Sequence, residues 1–580
     1  MTAVSNSLSE KNRDIAEASS LASQSNFHAE TTKRLLDGDS AVDRWLIRAG
    51  DWCSPILVKE TRQSLKSRQF QWTFMLLMIA IATWTLFAVL TSIPAIYFQP
   101  AGKYLLIGYI FLLIIPACVV VPNAAFRSMV GELEQGTFDV LTLSPLSSFQ
   151  IVTGKLAVAC VQSGFYFAAL APCFAVTYLL RGVTWMTILM SLIAIGVCSL
   201  MEIAIGLLLG SLDRARRFST LISIAMIVMT IGAAFCVYGL TTSGIFEMTR
   251  VGVDSERRFY IACFFAFSFF AITYVVLIVL AASAAIGMAS ENYSTTIRWW
   301  GLFQSVLMFG LFGAFIGFLR SPLAANGQGA VNSLELQRGM EQASVFIFFV
   351  QAIHWAALGI FFVSEQGVIT PRSRRSLPST LLQRIFLSWG NPGSGTGYVF
   401  VLLCLSSVFL SAYFLEQLFV LSGSEAQLFW NQSRLVGSGV FAIMLWGWMA
   451  SYLGLVRLCL VCFVKNGSNR MTLGITLLLI FVFAGTFGTL YLSTWSSSNN
   501  TASYEWYSIA NIPWSTIEAG SDKLVIGSIE SLICVSIVVI GLNWLTLSRD
   551  LVVVRVAAPP RVRQELSKTE ISEEALDPLA

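Results

Sequence analysis

The sequence predicts an all-α polytopic membrane protein with about twelve transmembrane helices. Of its 580 residues, 56% are hydrophobic and only 12% are charged, and the mean hydropathy is +0.71. Soluble domains contain about 25% charged residues, so this composition excludes an ordinary soluble domain. The basic residues stand beside apolar segments and form no soluble basic face, so we expect no nucleic-acid binding. We expect a multi-pass protein of the cytoplasmic membrane, either an inner or a plasma membrane.

The N-terminal region is polar for about fifty residues and has no early apolar core. A cleavable signal peptide requires such a core, so we expect none here. Residues 1–50 are rich in Ser, Ala and Glu, and this composition predicts a disordered cytoplasmic arm.

A short basic helix is expected before the first span. Ser54-Pro55 fits an N-cap followed by proline at the first helical position. Lys59, Arg62 and Lys66 recur at spacings of three and four, so they share one helix face. Such a helix is expected to lie at the inner headgroups and to contact membrane lipids. A charged flank that only fixes the topology explains the pattern equally well.

Twelve apolar segments are long enough to cross a bilayer, which requires roughly 20 residues each. The predicted spans are 71–93, 103–122, 155–180, 184–209, 218–241, 259–287, 301–320, 342–363, 397–416, 435–463, 471–494 and 523–548.

The orientation follows from the Lys and Arg residues that flank the spans. Basic clusters at 44–68, 214–217, 372–384 and 549–568 all fall on one side of a twelve-span chain. Cytoplasmic flanks carry most Lys and Arg, so both termini are predicted to be cytoplasmic. The loop at 123–154 is then cytoplasmic as well.

This loop is polar and acidic, although it stands between two apolar spans. Met129, Leu133, Val140 and Leu141 can line one side of a short amphipathic helix within it. A loop of this kind suggests that a soluble partner binds it.

A turn and a second helix are predicted to follow in the same loop. Ser144-Pro145 ends the first helix, because a residue before proline avoids the α region. Ser147 with Gln150 three positions later forms a capping-box pattern at the start of the third span.

Residues 131–156 resemble the cytoplasmic signature of ABC-2 type permeases, the membrane subunits of ABC exporters. That signature contains an acidic pair, Gly-Thr, a Leu-rich turn, Ser/Thr-Pro-Leu-Ser and a closing Gly-Lys-Leu. The matching residues are Glu132, Glu134, Gly136, Thr137, Leu141, Ser144, Pro145, Leu146, Gly154 and Lys155. The resemblance extends over roughly residues 50–290 because the basic helix and six spans are arranged similarly.

The resemblance implies that this loop is a coupling helix that docks into a partner ATPase subunit. The acidic pair and Thr137 would face the ATPase, while Leu133 and Leu141 would pack beneath them. The coupling residues are then Glu132, Glu134, Gly136, Thr137, Asp139, Leu141, Ser144, Pro145 and Leu146. ATP and Mg²⁺ are expected in the partner, and no cofactor is expected in this chain.

The resemblance gives a domain division. The N-terminal arm is followed by a six-span permease domain at 51–290, a second six-span membrane domain at 291–550 and a cytoplasmic tail at 551–580. The second six-span domain contains no recognisable coupling loop. We therefore expect a functional unit of two copies of this chain, or of this chain with a second permease chain.

The chain is not predicted to be an enzyme. It contains no phosphate-loop motif, so ATP hydrolysis is assigned to the partner. Its two histidines, His28 and His354, lie in the polar arm and within a span, which argues against Ser-His-Asp chemistry. Cys459 and Cys462 have the spacing of a redox or metal site, but they lie in an apolar span and are interpreted as structural. No metal site is predicted.

Three polar residues within spans are candidates for a translocation path. They are Glu202, His354 and Glu530. Ionisable groups in a bilayer are costly and often functional, although each can also be a hydrogen-bonded packing residue. The two carboxylates, Glu202 and Glu530, support an alternative function, a secondary transporter driven by an ion gradient.

Two pairs of glycines at GxxxG spacing predict close helix packing. They are Gly206 with Gly210 and Gly313 with Gly317.

Overall fold

The computed structural model describes most of the membrane-spanning chain. The described residues contain no β-strand. The described residues are 55–93, 100–135, 147–212, 219–250, 254–287, 292–319, 333–365, 380, 388–421, 437–464, 470–496, 504, 506–515 and 526–550. The predicted N-terminal arm, the predicted tail and the connector at 136–146 lie outside the described residues.

The described chain is built from α-helices, which we number in chain order. They are α1 (Pro55–Leu65), α2 (Arg68–Ser92), α3 (Gly102–Ile114), α4 (Val121–Gln135), α5 (Ser148–Leu179), α6 (Trp185–Leu212), α7 (Ser219–Gly239), α8 (Ile245–Arg250), α9 (Asp254–Ile286), α10 (Ser294–Leu319), α11 (Ser333–Val363), α12 (Ser394–Leu421), α13 (Gly437–Phe463), α14 (Arg470–Phe483), α15 (Thr489–Ser496) and α16 (Ile526–Asp550). Wider π-helical turns join three pairs of them, at Ile115–Val120, Leu240–Gly244 and Ala484–Gly488.

The chain divides into two compact units, residues 1–73 and 74–580. The first unit contains α1 and the start of α2. Pro55 is the first residue of α1, where its missing N–H costs no helical hydrogen bond. The hydroxyl of Ser67 accepts a 3.2 Å hydrogen bond from the Phe70 N–H and so caps α2.

The three basic residues of the predicted interfacial helix are exposed. Lys59 and Arg62 lie on α1, and Lys66 follows its last residue. The Lys66 N–H donates to the Arg62 carbonyl, so the chain remains turned at that point. Their placement at lipid headgroups stays a prediction.

The prediction of about twelve spans is confirmed, since twelve helices in the described residues are long and apolar enough to cross a membrane. The predicted span 342–363 matches the observed Gln342–Val363. The largest difference is in the second span, which was predicted to end at residue 122 and instead runs from Gly102 to Glu134.

The second span therefore includes two of the four residues of the predicted amphipathic helix, and the other two, Val140 and Leu141, lie outside the described residues. Met129 and Leu133 lie on α4, which continues from α3 through the π-helical turn. Pro116 has no N–H to donate to the preceding turn, and its own carbonyl accepts from the Val121 N–H. The turn widens there, and the helix continues without a break.

Close packing joins α4 to α6. A Cβ added at Gly206 would lie 3.0 Å from the Pro122 carbonyl oxygen, and one at Gly210 would lie 2.9 Å from Met129 Cβ. These distances confirm the packing role of this pair. The role predicted for Gly313 and Gly317 is wrong, because a Cβ there would meet no described atom within 4 Å.

The later spans enclose a large apolar core. It contains Trp355 on α11, which is fully buried against α12 and neighbouring helices. The Tyr398 hydroxyl on α12 donates a 2.7 Å hydrogen bond to the Ala450 carbonyl of α13. Arg457 on α13 donates to the Asn543 side chain of α16 at 2.8 Å. Buried polar groups thus fix the contacts among these three helices.

We expect Gly210→Ala to destabilise the protein, because the added methyl would overlap Met129. Overpacking of this kind costs about 1–3 kcal/mol. Gly313→Ala is the matched control, and it should be neutral or stabilising by up to about 1 kcal/mol. Thermal unfolding of both purified variants in detergent measures the difference. An unfolding temperature for Gly210→Ala equal to that of the control would contradict the close approach of α4 and α6.

Candidate functional site

The capping box predicted at the start of the third span is confirmed. The Gln150 N–H donates to Ser147 Oγ at 3.3 Å, and the Ser147 N–H donates to Gln150 Oε1 at 2.9 Å. These two bonds satisfy backbone donors that the first turn of α5 would otherwise leave unpaired. The residue at which the chain leaves the connector and enters α5 is therefore fixed.

A buried ion pair joins α5 to the end of α4. Lys155 is only 5% exposed, although it carries an ammonium group. Its Nζ donates to Glu132 Oε1 at 2.5 Å and to Ser128 Oγ at 3.1 Å. Ser128 and Glu132 are four residues apart, so both lie on the face of α4 that meets α5.

This ion pair restrains both ends of the connector. A lysine in an apolar setting needs an anionic partner or a route to water, because an unpaired buried charge costs several kcal/mol. Glu132 is the partner, and its side chain is 23% exposed while that of Lys155 is 4% exposed. The last turn of α4 and the second turn of α5 are therefore held together by the charge of Lys155.

The other acidic residue of the predicted coupling pair is placed differently. Glu134 is exposed near the end of α4, whereas Glu132 is directed to Lys155. Leu133 between them is half-buried. The remaining predicted coupling residues lie outside the described residues: Gly136, Thr137, Asp139, Leu141, Ser144, Pro145 and Leu146.

Glu202 is buried among cysteines in the middle of α6. Its side chain is 3% exposed, and Oε1 accepts a weak 3.7 Å hydrogen bond from the Cys198 thiol. Oε2 is buried and has no hydrogen-bond partner among the described residues. The Cys118 thiol of the second span lies next to this pair. A polar group with an unmatched oxygen in such a position is a functional candidate.

His354 has a partner for each ring nitrogen. Nδ1 lies 2.6 Å from the Tyr274 hydroxyl of α9, and Nε2 lies 3.1 Å from the Gly301 carbonyl of α10. A neutral ring that donates through Nε2 and accepts through Nδ1 satisfies all three groups. The geometry is that of a packing residue which joins α9, α10 and α11.

The three candidate path residues are not brought together. Glu530 is exposed on α16, and the contacts of His354 and Glu202 involve different helices. Of these three residues, Glu202 alone is both buried and incompletely hydrogen-bonded within the described part of the chain.

The structure contains a second buried ion pair that the sequence analysis missed. Arg298 at the start of α10 is fully buried, and its Nη2 donates to Glu365 Oε2 at 2.9 Å. Its Nη1 donates to the Trp389 and Asn391 carbonyls at 2.6 and 2.5 Å. Burial raises the pKa of the Glu365 carboxyl, and the nearby Arg298 charge opposes that rise. In the sequence Arg298 stands just before the predicted span 301–320, where it resembles an ordinary basic flank, and its partners are 67, 91 and 93 residues away.

Comparison with known proteins adds no further evidence on these sites. No protein-family model, no curated protein and no solved structure matches the chain. The functional interpretation therefore rests on the residues and contacts described above.

We expect the two halves of the Lys155–Glu132 pair to respond unequally to mutation. Glu132→Ala removes the carboxylate to which the buried Lys155 ammonium donates and should cost about 3–5 kcal/mol. Lys155→Met should cost less, because the Glu132 side chain is partly exposed and can turn to water. Glu134→Ala, an exposed neighbour, should be near neutral. Unfolding temperatures of the three purified variants test this order, and equal losses from Glu132→Ala and Glu134→Ala would contradict it.

We also expect Arg298→Lys to be strongly destabilising. A lysine has one compact ammonium and cannot reach two backbone carbonyls and Glu365 together. The loss of charged hydrogen bonds should cost on the order of 3 kcal/mol. The exposed Arg127→Lys is the control and should be neutral, as measured by thermal unfolding. A tolerated Arg298→Lys would contradict a specific role for the planar guanidinium.

Proposed function

We propose that this chain is the membrane-spanning permease subunit of an ATP-driven ABC exporter. Its twelve apolar helices supply the membrane domain, and a separate ATPase subunit supplies hydrolysis. The single observation that carries this proposal is the Lys155–Glu132 ion pair, which fixes both ends of a connector with an ABC-2-like sequence.

The ion pair suits a connector that transmits force. The connector at 136–146 directly follows α4, which ends at Gln135, and directly precedes Ser147, the N-cap of α5. The second and third spans therefore cannot separate at this end without breaking a buried charge pair. A force applied to the connector moves both spans together, as mechanical coupling requires.

The proposed cycle follows from this rigidity. ATP binding draws two partner ATPase subunits together, and each carries its docked connector with it. The second and third spans tilt as one body and open a substrate path towards the outside. No bond is made or broken by the residues of this chain. Two copies of this chain, or this chain with a second permease chain, form the complete exporter unit.

The tagged chain, purified from its own membranes in detergent, should bring an ATPase with it. We expect Glu134→Lys to reduce the co-purified ATPase at least about tenfold, equivalent to about 1.4 kcal/mol of binding free energy. Glu134 is exposed beside the connector, and a reversed charge at an interface is unfavourable. Mass spectrometry and nucleotide hydrolysis identify the partner.

Glu247→Lys is the matched control for this experiment. Glu247 is an exposed glutamate on α8, on the opposite side of the membrane in the predicted topology. Its reversal should leave the co-purified ATPase unchanged. The absence of any ATPase from the wild-type preparation, or equal loss in both variants, would overturn the proposal.

A second candidate function is supported by Glu202. A buried carboxylate with an unmatched oxygen can carry a proton or a sodium ion in a gradient-driven secondary transporter. That function predicts ion movement by the purified chain in vesicles without nucleotide, and its loss in Glu202→Gln. It also predicts that no ATPase co-purifies, so the same preparation distinguishes the two functions.

A further inference from the structure

Two thiols and one carboxylate converge where the second span crosses α6. Cys198 and Glu202 are four residues apart on α6, so they share one face of that helix. Cys118 lies opposite them, in the π-helical turn Ile115–Val120. Their two sulfurs and one carboxylate oxygen all lie within 4.8 Å of one another. This is the one such group of potential metal ligands among the described residues.

The backbone around the cluster is firmly held. The Ser199 hydroxyl of α6 donates a 2.7 Å hydrogen bond to the Ala117 carbonyl, beside Cys118. The Cys118 thiol itself lies 3.9 Å from the Ile195 carbonyl. Contacts on both sides of the cluster thus set the distance between the second span and α6. The π-helical turn that contains Cys118 is a feature often found at functional sites.

The cluster also contains a polar atom without a match. Glu202 is 97% buried, and its Oε2 has no hydrogen-bond partner in the described part of the chain. Among the described residues, Oε1 accepts from the Cys198 thiol, and no basic side chain forms an ion pair with the carboxyl group. A buried carboxyl group in such surroundings is satisfied either by a proton or by a cation.

We propose that Cys118, Cys198 and Glu202 bind a thiophilic divalent cation of the Zn²⁺ class. Zn–S bonds of about 2.3 Å and Zn–O bonds of about 2.1 Å place two ligands of a tetrahedral site about 3.6 Å apart. The Cys198 sulfur and Glu202 Oε1 are already 3.7 Å apart. The Cys118 sulfur lies within 4.8 Å of the Cys198 sulfur and of a Glu202 carboxylate oxygen, and it supplies the third of the four ligand positions.

The ligand set selects the class of cation. Two sulfur ligands disfavour Mg²⁺ and Ca²⁺, which bind oxygen. The carboxylate oxygen favours a divalent ion over Cu⁺, which prefers sulfur ligands alone. Binding releases the protons of the two thiols and of the Glu202 carboxyl group. Two thiolates balance the two positive charges of the cation, and the carboxylate gives the site a net charge of −1. Three protein ligands leave one position open for water or another ligand.

Metal binding is tested on the purified, fully reduced chain in detergent, with Co²⁺ and Zn²⁺ as probes. We expect one equivalent of Co²⁺ to give intense visible and thiolate charge-transfer absorption, and Zn²⁺ to displace it. Cys118→Ser and Cys198→Ser should each weaken binding by more than the roughly 10–100-fold that loss of an outer-shell partner costs. Glu202→Gln should retain the thiolate charge-transfer absorption but bind Co²⁺ more weakly than the wild type does.

Cys404→Ser is the matched control, because Cys404 is a buried cysteine on α12 outside the cluster. It should bind Co²⁺ as the wild type does. A measurement without mutation guards against misfolded variants: Zn²⁺ should slow alkylation of Cys118 and Cys198 in the wild-type chain. No Co²⁺ binding by the wild type, binding that survives both cluster serine variants, or unchanged alkylation would overturn the proposal. The metal-binding and alkylation measurements do not depend on whether an ATPase partner exists.

Discussion

The buried ammonium of Lys155 is the constraint on which the arrangement of the connector depends. It lies near the start of an apolar helix, where an uncompensated charge would cost several kcal/mol, and Glu132 supplies the compensating charge from the preceding span. The two spans must therefore approach each other at this end. The start of α5 also contacts the later half of the chain, since the Ser148 hydroxyl lies 3.3 Å from the Tyr293 hydroxyl just before α10.

That second contact gives a structural role to the spans of the predicted second six-span domain, whose sequence contains no recognisable coupling loop. Arg298 follows Tyr293 by little more than one helical turn, and it binds Glu365 together with the backbone at Trp389 and Asn391. A rigid network thus lies close to the start of the third span. In the exporter that we propose, these later spans act as a fixed support against which the second and third spans move.

Local features of this structure were predictable from sequence, and distant pairings were not. Apolar length alone predicted twelve spans, and Ser147 with Gln150 predicted a capping box across three residues. The extent of the second span was underestimated, because the polar residues after 122 continue the helix beyond its apolar part. Lys155 and Glu132 are 23 residues apart in the sequence, and Cys118 and Cys198 are 80 residues apart. Such pairs depend on which helix faces pack together, and hydropathy does not encode that.

The most direct test of the account is a charge swap across the ion pair, with the co-purified ATPase as the readout. Glu132→Lys places two positive charges together and should separate the connector ends, so the ATPase should be lost. The double variant Glu132→Lys, Lys155→Glu restores opposite charges at the same two positions and should recover the ATPase. A Glu132→Lys variant that retains the full amount of ATPase would contradict the claim that this ion pair holds the connector in its docking geometry.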